Sequence, residues 1–114
     1  MQNVVITRTI TEFGINDMED YEDILTKSCN DIVARVNKKL QSGFLFNPTA
    51  ARKRIKAIDK SIDVIVRYVE LNSWFLDVQD VIDNQRRIAK LRGEKKALTQ
   101  LLADHDKKLK EARE

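Results

Sequence analysis

From Val81 to Ala112 the chain repeats with a period of seven. Val81, Ile88, Lys95, Leu102 and Leu109 form one register and Asn84, Leu91, Leu98, His105 and Ala112 the complementary one, so seven of these ten positions are apolar. Alternating steps of three and four place all of them on one stripe of an α-helix, whereas a strand would scatter them over both faces. The C-terminal third is therefore one long helix with a coiled-coil seam, and that seam needs a helical partner. Asn84, Lys95 and His105 are polar intruders of the kind that trade stability for a fixed register, Asn84 being the best placed to do so. Gly93 costs such a helix about 1 kcal/mol relative to Ala, and it falls outside the seam.

Three Gly and one Pro in 114 residues leave few sites for tight turns, so the remaining elements are also long and an all-β fold is excluded. A first helix is signalled by Asn16 with Glu19 three residues later, and by Asp17, Glu19 and Asp20 at the positive end of the helix dipole. Lys38, Lys39 and Gly43 mark its end. Between them Tyr21, Leu25, Cys29, Ile32, Val36 and Leu40 form a single apolar stripe. After the connector Phe44-Leu45-Phe46, Asn47-Pro48-Thr49 restarts the chain, and Ile55, Ile58, Ile62, Ile65 and Val69 carry a second stripe.

Polar residues interrupt that stripe at Glu70-Leu71-Asn72-Ser73, where Ser73 is expected to cap a new helix before Trp74; one unbroken helix from Pro48 onward is the alternative. Residues 4–13 are dense in β-branched residues, with Ile6, Arg8 and Ile10 alternating against Val5, Thr7, Thr9 and Thr11, and read as one extended strand. A lone strand must pair with another copy of the chain or a partner, lie on the helices as an ordered arm, or stay flexible, and pairing or an arm is the expectation. The expected fold is thus all-α: a three-helix bundle or hairpin with a long C-terminal coiled-coil helix and a short N-terminal strand or arm. Its divisions are an arm over residues 1–15 and a helical domain over 16–114, with helices at about 17–42, 48–71 and 74–112.

The net charge of +3 is the small difference between 21 bases and 18 acids, and the order of those charges is more informative. Residues 17–26 hold five acids and no base, and 27–57 hold eight bases and one acid; 58–85 hold six acids and two bases, and 86–114 hold ten bases and five acids. Such segregation guides helix pairing or docking. The single Cys29 has no intramolecular disulfide partner and reads as a buried, reduced thiol. The N-terminus lacks the pattern of a secretory leader, and no apolar run approaches the roughly 20 residues of a membrane span, so a cytoplasmic protein that does not enter membranes is expected.

Few residues offer chemistry. Arg52, Lys53, Arg54 and Lys56 crowd the first turns of the second helix, where they oppose the dipole unless an anion or acidic side chains compensate. They either bind phosphate, as in nucleic acid, or meet the acidic start of the first helix, Asp17 to Asp23, in the same or a neighbouring chain. Arg86, Arg87, Lys90, Arg92, Lys95 and Lys96 form a second basic group, read as a solvated face or an extension of a phosphate-binding stripe. His105 is the only histidine, and with no Cys, His or carboxylate at ligand spacing it forms no zinc site. Asp77, Asp80 and Asp83 share a helix side but lack the histidines of helical di-metal centres.

No phosphate loop, nucleophile elbow or Cys-His pair is present, so no catalytic residue, metal ligand or cofactor is assigned. Phe44, Leu45, Phe46, Trp74 and Phe75 either fill the bend and turn or form an exposed knob for a partner. The function expected is that of a non-enzymatic homo-oligomeric interaction or scaffold protein, assembled through Val81, Asn84, Ile88, Leu91, Leu98, Leu102, His105 and Leu109 and engaging a protein partner. The alternative is a nucleic-acid-binding accessory protein that uses Arg52, Lys53, Arg54 and Lys56.

Overall fold

The computed structural model describes residues 18–113, with the side chains from residue 20 onward. Three helices follow one another: α1 (Met18–Gln41), α2 (Pro48–Asn72) and α3 (Val78–Arg113). The fold is all-α, as the periodicities predict. The expected arm over residues 1–15 and the Asn16 cap lie outside the described residues.

The helix ends follow local chemistry. Gly43, with φ of 99°, turns the chain after α1 while the amides of Gly43 and Phe44 donate to the carbonyls of Leu40 and Lys39, both at 3.1 Å. A left-handed residue satisfies the last carbonyls in this way, and glycine adopts it without a Cβ penalty. Asn47 caps α2 from an extended backbone, its side-chain oxygen accepting from the Ala50 amide at 3.0 Å, and Pro48 occupies the first helical position.

The break between α2 and α3 is real but lies later than Ser73 implies. Ser73 keeps helical angles of −57° and −29°, and its hydroxyl donates back to the Glu70 carbonyl at 3.3 Å, so it closes α2 instead of opening α3. Asp77 takes the capping role: its carboxylate accepts from the Asp80 amide at 2.8 Å, and Asp80 accepts from the Asp77 amide at 3.3 Å. This reciprocal pair satisfies two amides that a helix start otherwise leaves open. Asp77→Ala is expected to cost about 1 kcal/mol, a loss of roughly 4–8 °C in melting temperature measurable by circular dichroism.

All three helices meet through α3. It packs against both α1 and α2, whereas α1 and α2 have no backbone approach within 8 Å of each other among the described residues. Arg54 meets Glu94, and Ile65 lies near Asn84, so α2 runs antiparallel to α3. Asp20 meets Arg86 and Cys29 meets Gln100, so α1 runs parallel to it. The result is a rod measuring 56 × 22 × 21 Å.

α3 uses two different faces. Its first is the heptad stripe: Val81 and Ile88 are buried with Ile58, Ile62, Val66 and Val69 of α2 and with Leu76 of the turn, and Leu91 and Leu98 pack at the margin. Its second is a row of small residues spaced by four, Ala89, Gly93 and Ala97, all buried. There α1 comes so near that a Cβ on Gly93 would lie 2.5 Å from the Leu25 carbonyl oxygen and 2.7 Å from the Ser28 Cβ. Gly93 is therefore the seat of α1: it lies outside the heptad seam, as expected, on a second packing face of α3. Cys29, the one buried residue of the α1 stripe, lies over the same row and donates weakly to Gln100 Oε1 at 3.9 Å.

Candidate functional site

The seam divides into a part the chain uses and a part it leaves over. Val81, Asn84 and Ile88 are buried, and Leu91 and Leu98 are half-buried, within the single chain. Leu102 is half-buried and Leu109 is 45% exposed, beyond the stretch that α2 covers. Each polar intruder has an internal partner. Asn84 Nδ2 donates to the Asp80 carbonyl at 2.8 Å, Lys95 Nζ pairs with Asp59 of α2 at 2.7 Å, and the His105 ring packs on Phe46 with centroids 5.3 Å apart.

The basic cluster splits in the same manner. Arg54 grips Glu94 of α3 with two hydrogen bonds, one from Nη2 at 2.9 Å, and this pairing raises the already high pKa of its guanidinium. Arg52, Lys53 and Lys56 are exposed and have no ion-pair partner among the described residues. At the start of α1, Asp20 accepts from Arg86 Nε at 2.9 Å. From the second basic group, Arg92 donates to the Tyr21 hydroxyl and stands over its ring, and Lys95 holds Asp59. These contacts fasten α3 to its neighbours, so the group is not one continuous solvated stripe.

Asp77 and Asp80 cap α3, and Asp83 accepts from Gln79 at 2.8 Å. That explains the acidic spacing without a metal, and no cluster of three potential ligands exists among the described residues. No described helix is long and apolar enough to cross a membrane.

Folding up, down and up again gathers the alternating charge blocks at opposite ends of the rod. Towards one end lie Asp20, Glu22 and Asp23 in the first turns of α1, Glu70 in the last turn of α2, and Asp77 and Asp80 at the start of α3. At the other, Lys38 and Lys39 end α1 and Lys107, Lys108 and Lys110 lie in the last turns of α3, whereas Arg52 and Lys53 lie beside the middle of α3, next to the Arg54–Glu94 pair. Arg67, Arg86 and Arg87 at the first end, and Asp104, Asp106 and Glu111 at the second, soften this polarity without reversing it.

Each end also displays apolar bulk. Trp74 is 83% exposed and Phe75 55%, the two rings meeting edge to face at 4.5 Å, with exposed Leu71 and Val78 beside them in sequence. Val64 and Tyr68 extend the patch along α2. At the basic end the α1–α2 bend and α3 enclose a groove of about 400 Å³, walled by Leu40, Phe44, Leu45, Phe46, Leu101 and His105, with Asn37, Asp104 and Lys108 completing its lining. Leu45 is 94% exposed and Phe44 67%.

His105 of the expected seam lines the groove, and of the two readings of the aromatic residues the exposed one agrees with Phe44, Leu45, Trp74 and Phe75, whereas the pairing of the two ends is not among the expectations. The available signals were Trp74-Phe75 lying inside the polar break and the alternation of charge blocks along the chain. No family model, no curated protein and no solved structure matches the chain.

Proposed function

We propose that this chain is a non-enzymatic, self-associating interaction module. The observation that carries the reading is the amount of large apolar surface that remains outside after folding: Leu45, Trp74, Leu71, Phe44 and Val64 are each at least 67% exposed. Single exposed apolar residues are ordinary, but neighbouring ones at a turn and around a groove mark interaction surfaces. Light scattering on the full chain over a concentration series tests this reading. The average mass is expected to rise with concentration, and a constant monomer mass overturns self-association.

Nucleic-acid binding is the second reading, favoured by Arg52, Lys53 and Lys56, which are exposed at a helix start and have no ion-pair partner among the described residues. Three such contacts predict a binding constant that falls with salt at a logarithmic slope of roughly −3 on duplex DNA, abolished by Arg52→Ser, Lys53→Ser and Lys56→Ser together. Absence of binding to both duplex and single-stranded probes at low salt removes this reading.

A further inference from the structure

We infer that copies of this chain join head to tail, the Trp74–Phe75 knob of one seating in the groove formed by Leu40, Phe44, Phe46, Leu101 and His105 of the next. The inference rests on the self-association proposed above and assigns its geometry. The knob and the groove lie about 40 Å apart along α3, counted from Val78 to Asp104 at 1.5 Å per residue. One molecule therefore cannot fill its own groove. A groove of about 400 Å³ falls in the size range that holds a small organic ligand, so it can take an indole. Its apolar and aromatic walls suit a ring, while an aromatic pair is the kind of anchor that dominates interfaces.

Charge selects the second copy as the occupant. Glu70, Asp77 and Asp80 accompany the knob, and around the groove, whose lining holds both Asp104 and Lys108, the exposed Lys38, Lys39, Lys107 and Lys108 outnumber Asp104 and Asp106, so docking brings opposite net charges together. Knob against knob would oppose acidic ends, and groove against groove would oppose basic ones. A surface that meets a different surface on its neighbour makes a heterologous contact, which leaves a free knob and a free groove and so continues. Two aromatic side chains bury about 150–250 Å² each, below the roughly 800 Å² per partner of a standard interface, so the contact is reversible and depends on concentration.

The test uses two full-length variants in sedimentation velocity, with helical content checked by circular dichroism. One lacks the knob (Trp74→Ser with Phe75→Ser). The other blocks the groove with acidic charge (Leu45→Glu with Lys108→Glu). All four positions are exposed, so the helices are expected to be retained. Where the wild-type chain associates, each variant alone is expected to be monomeric. An equimolar mixture is expected to form a 1:1 dimer and stop there, because it contains one competent knob and one competent groove per pair. If the wild type associates and either variant associates equally well, or the mixture stays monomeric, the head-to-tail geometry is overturned while self-association stands. If the wild type itself is monomeric throughout, both fail.

Discussion

Gly93→Ala destabilises the chain by about 2 kcal/mol and lowers its melting temperature by roughly 10 °C. The sign is the informative part. In an exposed helix the same change stabilises by about 1 kcal/mol, because alanine is the better helix former. Here the new methyl meets the Leu25 carbonyl oxygen at 2.5 Å, the Ser28 Cβ at 2.7 Å and the Cys29 amide nitrogen at 3.2 Å. Two of the three obstacles are backbone atoms, which no side-chain rotation removes. α1 must move outward, and Cys29 then loses its place over the small-residue row. A melting temperature equal to or above that of the wild type in thermal denaturation would mean that α1 is not seated on Gly93.

Ile88→Ala and Leu109→Ala, equivalent members of one heptad register, are expected to differ by more than tenfold in their effect on the folding equilibrium. Ile88 is 1% exposed and enclosed by the α2 core, so its truncation costs about 2–5 kcal/mol through lost transfer energy and the cavity left behind. Leu109 is 45% exposed and contributes to the monomer no more than about 0.5 kcal/mol. Denaturant titration at a concentration where the wild type is monomeric separates the two. Equal losses would mean that the whole seam is buried to the same depth, as in a continuous coiled coil.

The sequence conveys the fold well because its strongest signals are local. The stripes of α1 and α2, the turn at Gly43 and the Asn47-Pro48 restart each depend on a few neighbouring residues, and each lies where spacing and capping chemistry put it. The start of α3 shifted from residue 74 to Val78 because two candidate caps compete within five residues. Ser73 bonds backward into α2, which leaves Asp77 to bond forward. The heptad was legible as a helix but not as a partner choice. A repeat of seven states that a helix must cover the stripe, and α2 satisfies that demand as well as a second copy does over Val81 to Leu98.

The second packing face was harder to see because small residues leave no hydrophobic peak. Ala89, Gly93 and Ala97, spaced by four, were its only trace in the sequence. The polarity of the rod arises only when the chain reverses twice and stacks its charge blocks. Segregated charge was visible along the sequence; its gathering beside a knob at one end and a groove at the other depends on α1 running parallel to α3.

Small-angle X-ray scattering over a concentration series most directly decides how this molecule assembles. The rod is 56 Å long and 22 × 21 Å in section, so joining ends extends it to roughly 100 Å per pair at an almost unchanged cross-sectional radius. Growth in maximum dimension at constant cross-section is the expected result. A cross-section that doubles while the length stays near that of one rod would contradict end-to-end assembly and place the contact along the side of α3.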